Sequence, residues 1–252
     1  LPVITSVQSD RTNRLWVSTM TRGLLVVDTE SGAWKDAYTE ALGSPGSLPT
    51  DAMTSIAFGA GLVFAGTWGS GVYRAPVQET GFKLMNMLNA QGLDNNVISS
   101  LMPGDSDGRP WVGTFGGGPR KVDVIDNRVM AKPLRLHGMR ESGVMSLEGP
   151  LQGRLYAATT HGLYEFSLDG VQVALFGHDP QVEGSIGDGY VVSLLQGNGD
   201  GLWVGMGGSG LYYFNAQTQR FAAHGHDPLK PDSVSGDFIT SLLKDGKDHI
   251  WF

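Results

Sequence analysis

The sequence has no cysteine. That excludes disulfides, zinc–thiolate centres and cysteine nucleophiles. Charged residues are scarce, at 17%, and the balance is acidic, with a net charge of −7. An acidic chain lacks the basic surface that releases counterions from phosphates, so nucleic acid is not an expected partner. No apolar run approaches the ~18 residues that span a bilayer. There is no signal-peptide pattern, and attachment to a membrane is expected only through segments outside this chain. The six histidines show no ligand spacing such as H-x-x-x-H, so no metal and no cofactor is expected. No pair of carboxylates stands out for glycoside hydrolysis. Apolar residues at i, i+3, i+4 and i+7, the mark of an amphipathic helix, are absent as well.

What is abundant is glycine, with 37 residues in 252, about twice the usual share of roughly 7%. It has no collagen-like period and accompanies six Trp, ten Phe and seven Tyr. This combination points to short strands joined by tight turns.

A repeat organises the chain. "ITSV", "MTSI", "ISSL", "VMSL", "VVSL" and "ITSL" share a serine, at Ser6, Ser55, Ser100, Ser146, Ser193 and Ser241, with intervals of 49, 45, 46, 47 and 48. About ten residues later comes an aromatic: Trp16, Phe64, Trp111, Tyr156, Trp203 and Trp251. Two positions on, the residue is small: Ser18, Gly66, Gly113, Ala158, Gly205. A glycine follows at Gly23, Gly71, Gly118, Gly162 and Gly210 and mostly leads into an apolar pair. One period reads as four strands, a to d. "ITSLL" is strand a, a Gly/Asp hairpin turn follows, "LWVGT" is b, "LYYFN" is c, and "QRFAAH" is a short outer strand d. Four strands in about 47 residues is the pattern of a β-propeller blade. The expected fold is all-β, with blades beginning near residues 4, 53, 98, 144, 191 and 239 of a single propeller segment, 1–252. The final phrase, "DFITSLLKDGKDHIWF", reads as strands a and b of a sixth blade. Five blades and a part would leave a sheet face bare, so the expectation is a segment of a six- or seven-bladed ring.

Three phrases carry the most specific signal: "GDGLWVGMGGSGLYYFNAQTQRF", "GDSDGRPWVGTFGGG" and the inter-blade stretch "HDPLKPDSVSGDFITSL" at 226–242, which is repeated as "HDPQVEGSIGDGYVVSL" at 178–194. In these the chain resembles the two-component regulator propeller repeat family. The pattern departs at Pro119 and Arg120, which replace the apolar pair of the third repeat, and at Tyr156-Ala-Ala in the fourth. The resemblance implies an extracytoplasmic input domain of a bacterial receptor, on the periplasmic or extracellular side of the inner membrane. Its output would be a histidine kinase or diguanylate cyclase, and neither lies in these residues. Some members of the family sense oligosaccharides. The implied role is non-catalytic sensing of a small ligand, with a carbohydrate as one candidate, and pairing of protomers into a homodimer is compatible with it. A propeller lyase or glycoside hydrolase is one alternative, and a protein-interaction scaffold is another.

Other motifs yield to plainer readings. His-Asp-Pro occurs at 178–180 and 226–228, one period apart, so it reads as an inter-blade turn rather than a metal or acid–base pair. "DSDG" at 105–108 lacks the remaining ligands of a calcium loop. "TFGGGP" at 114–119 is followed by a strand and not by the helix of a phosphate loop. A ligand must be read by what differs between blades. The least repetitive residues fall in the b–c loops: Arg22, Trp68, Phe115 and His161, with Arg120 next door. Aromatic faces stack on sugar rings while polar groups fix orientation. These five residues are the candidate ligand-binding set.

Overall fold

The computed structural model describes residues 2–40, 47–48, 50–77, 81–104, 109–116, 118–125, 128–133, 143–169, 171–245 and 247–252. All regular elements among them are strands, and no helix is long and apolar enough to cross a membrane. The chain divides into two compact units, Leu1–Pro133 and Leu134–Phe252.

The first unit holds three sheets. Strands β1 (Ile4–Ser9), β2 (Arg14–Thr19), β3 (Leu24–Asp28) and β4 (Trp34–Tyr38) form an antiparallel meander. Strands β5 (Met53–Gly59), β6 (Leu62–Thr67), β7 (Val72–Pro76) and β8 (Lys83–Met85) form the next. A two-residue strand β9 (Ala90–Gln91) precedes β10 (Ile98–Met102), β11 (Trp111–Thr114), β12 (Gly118–Ile125) and β13 (Arg128–Pro133). The sequence reading did not anticipate β9, which runs parallel to β13 and caps its edge.

The second unit repeats the pattern. Strands β14 (Val144–Leu151), β15 (Arg154–Thr159), β16 (Gly162–Ser167) and β17 (Gln172–Phe176) make one meander. Strands β18 (Tyr190–Gln196), β19 (Gly201–Gly207), β20 (Leu211–Asn215) and β21 (Arg220–His224) make another. A hairpin of β22 (Leu243–Lys244) and β23 (Ile250–Trp251) follows. In its turn Asp245 accepts hydrogen bonds from the Trp251 indole, at 3.2 Å, and from the His249 backbone, at 2.9 Å. Asp10 does the same for Trp16 in the first sheet, at 3.2 Å.

The sequence columns are explained by how sheets stack. Side chains alternate across a strand, and β6 sends them to two cores. Val63 and Ala65 join Trp16, Leu24 and Val26 of the first sheet. Phe64 joins Ile98, Leu101 and Val112 of the third. Strand β6 is thus buried on both faces, which is why the "LWVGT" phrases read as continuous apolar runs. In the second unit, Tyr156 and Ala158 likewise pack with Val191, Val204, Met206 and Phe214.

Strands β1, β5, β10, β14 and β18 share a β-bulge at the same place, between Ile4 and Ser6, Met53 and Ser55, Ile98 and Ser100, Val144 and Ser146, and Val191 and Ser193, and β14 has a second irregularity between Glu148 and Leu151. The bulge sets the serine opposite the small residue of the second strand: Ser6 faces Ser18, Ser55 faces Gly66, and Ser193 faces Gly205. The residue that opens the next sheet packs over this pair. A Cβ on Gly66 would lie 2.6 Å from Ile98 Cγ2 and 2.5 Å from Ser55 Oγ, and one on Gly205 would lie 2.7 Å from Ile239 Cγ2. The small column is therefore a contact between sheets.

The two His-Asp-Pro segments are built alike. The Nδ1 atoms of His178 and His226 lie 2.9 and 2.7 Å from the carbonyls of Ile186 and Val234. Ser185 and Ser233 donate to the carbonyls of Asp179 and Asp227. Ile186 and Val234 are buried. The motif is an inter-sheet turn that plugs an apolar residue into the core. The segment 105–108 and the residue Gly117 lie outside the described residues.

Substituting Gly66→Ala is expected to cost about 1–3 kcal/mol, because the new methyl must displace Ile98 or Ser55 in a packed core. Urea unfolding of the variant measures it, and an unchanged midpoint would contradict the stacking described here. A second expectation concerns Glu148 on β14. Burial is the main influence on its carboxyl and pushes it up to about 7, although the N–H groups of Gly149 and Gln196 favour its ionised form. The folded protein then keeps a proton that the unfolded chain releases near 4.5. Stability contributed by this group falls as pH rises through 5–7 and stays lower above, by roughly 3 kcal/mol. Glu148→Gln should remove that part of the slope, raising the melting midpoint at pH 8 and leaving it nearly unchanged at pH 5.

Candidate functional site

The loops joining second to third strands are framed by a buried threonine and the column glycine. Thr19, Thr67, Thr114 and Thr159 close strands β2, β6, β11 and β15 with no exposed surface. Each hydroxyl donates to a carbonyl across the loop: Gly23 at 3.1 Å, Gly71 at 2.7 Å, Gly118 at 3.1 Å and Gly162 at 2.9 Å. Three of these hydroxyls also accept from a loop N–H, that of Arg22 at 2.9 Å, Ser70 at 3.0 Å and His161 at 3.1 Å. The glycine N–H faces the other way. Gly23, Gly71 and Gly210 donate to the carbonyls of Asp51, Asn96 and Asp237, just before the next sheet begins. Gly71 has φ +100°, and a side chain there would run into the Met85 carbonyl. Only glycine fits.

On this frame the structure brings two of the five expected residues together. Trp68 and Phe115, from successive sheets, have ring centroids 6.3 Å apart at an interplanar angle of 45°. They are 57% and 44% exposed, so about half of each side chain is open to solvent. The segment Asn95–Val97 holds the pair from behind. Val97 bridges to Trp68, and its carbonyl accepts the Phe115 N–H at 3.0 Å. The Asn95 amide donates to the Phe115 carbonyl, and its Oδ1 accepts the Val97 N–H at 2.7 Å.

The other three stand differently. Arg22 is exposed at the first loop. His161 is exposed in the second unit, with Nδ1 3.1 Å from the Thr160 hydroxyl. Arg120 is withdrawn from the surface, at 5% exposure. Its Nε donates to the Gly92 carbonyl at 3.3 Å, its Nη1 to the Pro119 carbonyl at 3.0 Å, and its Nη2 pairs with the Asp94 carboxylate. It occupies the place of the missing apolar pair, so its stem runs inward, and a buried guanidinium persists only where acceptors surround it. What it presents to solvent is Asp94, whose side chain is half exposed. Sequence reasoning passed over Asp94 and Asn95. Their signal was the run "LDNNV", which interrupts the repeat just before a first strand.

Two further arginines are committed to structure. Arg109 and Arg154 pair with the buried Asp123 and Glu165, each at 3.1 Å. Among the described residues no group of three His, Asp or Glu side chains could hold a metal ion. Two exposed aromatic rings on adjacent, braced loops can stack on the apolar face of a ligand.

If Thr67 frames the loop, Thr67→Val should destabilise the fold by about 1–2 kcal/mol, since the Ser70 N–H loses its buried acceptor. It should also disorder the Trp68 ring, seen as a red-shifted indole emission in the variant. An unshifted spectrum with native stability would show that the hydroxyl does not hold the loop.

No family model and no curated protein matches the chain. Solved structures do. The extracellular domain of BT4673 from B. thetaiotaomicron, described as a candidate hybrid two component system, superposes with a TM-score of 0.80 at 20% identity, over 98% of this chain and 31% of that one. The corresponding domain of BT3049 from the same organism gives 0.79 at 19% identity, over 98% and 32%. The computationally designed Ika8 protein gives 0.63 at 14% identity, over 95% and 64%. The chain thus spans about a third of the two natural chains it matches. The chain has the all-β fold of these extracellular domains.

Proposed function

We propose that this chain is a propeller segment of a bacterial receptor's extracytoplasmic sensor domain, and that it binds a small ligand without turning it over. The observation that carries the reading is the exposed Trp68–Phe115 pair, with centroids 6.3 Å apart, on loops whose backbones are fixed from beneath. A soluble domain exposes two adjacent large aromatics at little benefit to its own stability, and open aromatic faces are suited to the apolar faces of sugar rings. The fold shared with the extracellular domains of BT4673 and BT3049 supports the sensor role, as do the repeat motifs. In this reading further repeats complete a six- or seven-bladed ring, and a histidine kinase or diguanylate cyclase elsewhere in the protein carries the output. Ligand changes that output only by binding one of two receptor states better than the other.

The test is a thermal-shift screen against oligosaccharides, with amino acids and small organic acids as comparison. A ligand of the folded state raises the midpoint. The expected hit is an oligosaccharide that also quenches indole emission. Trp68→Ala should weaken it by about tenfold or more while leaving the unliganded stability within about 0.5 kcal/mol. A hit that is consumed during the assay would point to an enzyme. A hit insensitive to Trp68→Ala would remove this site, and no hit in a panel that includes oligosaccharides would overturn the sensor reading in favour of a protein-binding scaffold.

A further inference from the structure

The segment that backs the aromatic pair holds a second feature of the same surface. Strand β8 ends at Met85, and the chain turns through residues 86–89 before β9. Asparagines pin this turn. Asn86 Oδ1 accepts the Leu88 N–H at 3.0 Å, Asn89 Oδ1 accepts the Asn86 N–H at 2.8 Å, and Asn96 Oδ1 accepts the Met87 N–H at 2.9 Å. The turn so fixed presents apolar side chains to water. Met87 is 50% exposed and Leu88 is 93% exposed, so Leu88 adds nothing to the core.

Three consecutive residues join this turn to the rings. Asn95 donates to the Phe115 carbonyl, Asn96 accepts from Met87, and Val97 bridges to Trp68. The Asn96 carbonyl also accepts the Gly71 N–H at 2.9 Å, from the loop that carries Trp68. Rings and turn therefore share one support. The Asn96 Nδ2 has no partner among the described residues, which leaves an amide donor on the residue that links them. Charge is withdrawn from the surface. Asp94 is answered by Arg120, and the stretch 84–108 contains no lysine or arginine.

On the reading that the Trp68–Phe115 pair takes sugar rings, we propose that its ligand is a glycoside bearing an apolar substituent, an aryl or alkyl group that lies on Met87 and Leu88 while a sugar ring stacks on the pair. An unsubstituted oligosaccharide would leave both side chains bare. An aryl group laid on them takes apolar area out of water, and the Met87 thioether favours contact with an aromatic ring. Other occupants fit less well. Apolar residues that enter a lipid surface are flanked by lysine or arginine, and this stretch has neither. A stable protein interface takes ~800 Å² from each partner, well beyond what two rings and two aliphatic side chains offer.

Matched probes test this: the methyl and benzyl β-glycosides of glucose, galactose, xylose and N-acetylglucosamine, each titrated calorimetrically against the whole chain. For a sugar that binds, the benzyl glycoside should be at least about tenfold tighter than the methyl glycoside. Leu88→Ser combined with Met87→Ser should erase that advantage and leave the affinity for the methyl glycoside as it was. Both substitutions are at the surface, so far-ultraviolet dichroism should not change. Trp68→Ala should weaken both glycosides. Equal affinity for the two glycosides would overturn the proposal and leave the sensor reading standing. So would a benzyl advantage that survives the double substitution, or benzyl alcohol binding as tightly as the benzyl glycoside. Sedimentation with phosphatidylcholine vesicles that the double substitution abolishes would also overturn it, by assigning the turn to a lipid surface. Binding of neither glycoside of any sugar would overturn it together with the sugar-stacking reading on which it rests.

Discussion

The structure depends on the seam where one sheet meets the next. At two seams within the units a residue too small to intrude, Gly66 or Gly205, receives a side chain from the segment that follows, Ile98 or Ile239. The loop glycine nearby donates its N–H to the carbonyl that leads into the same strand. One contact is apolar and the other polar, and both fall within a few residues. Together they set the spacing and register of consecutive sheets. The bulge repeated in every first strand belongs to this device, since it turns the serine toward the small residue without breaking the ladder.

The loops inherit their rigidity from the seam. In the first two loops a buried threonine ties the loop to its glycine, and the glycine ties it to the segment leading into the next sheet. Side chains between these two anchors are free to vary without loosening the backbone. Trp68 and Phe115 sit there, and their rings meet because consecutive seams place consecutive loops side by side. Rings placed this way are pre-organised by the scaffold.

Charge is used sparingly and for definite tasks. Arg109, Arg120 and Arg154 each answer a carboxylate. Lys35, Lys83 and Arg220 lie on the outer strands β4, β8 and β21.

Much of this was legible in the sequence, for a physical reason. A repeat of sheets forces each period to solve the same local problems, so turn glycines, bulge serines and apolar second strands recur at fixed intervals. The all-β class, the four-strand period and the structural nature of the His-Asp-Pro turns followed from those recurrences alone. Side chains outside the repeat could not be placed that way. Whether Arg120 points out or in depends on acceptors at Gly92 and Asp94, nearly thirty residues away. The proximity of Trp68 to Phe115, the backing role of Asn95 and the burial that raises Glu148 are likewise consequences of packing between sheets. Periodic residues report on local backbone geometry, which a sequence can carry. Aperiodic ones take their properties from neighbours that only the folded chain supplies.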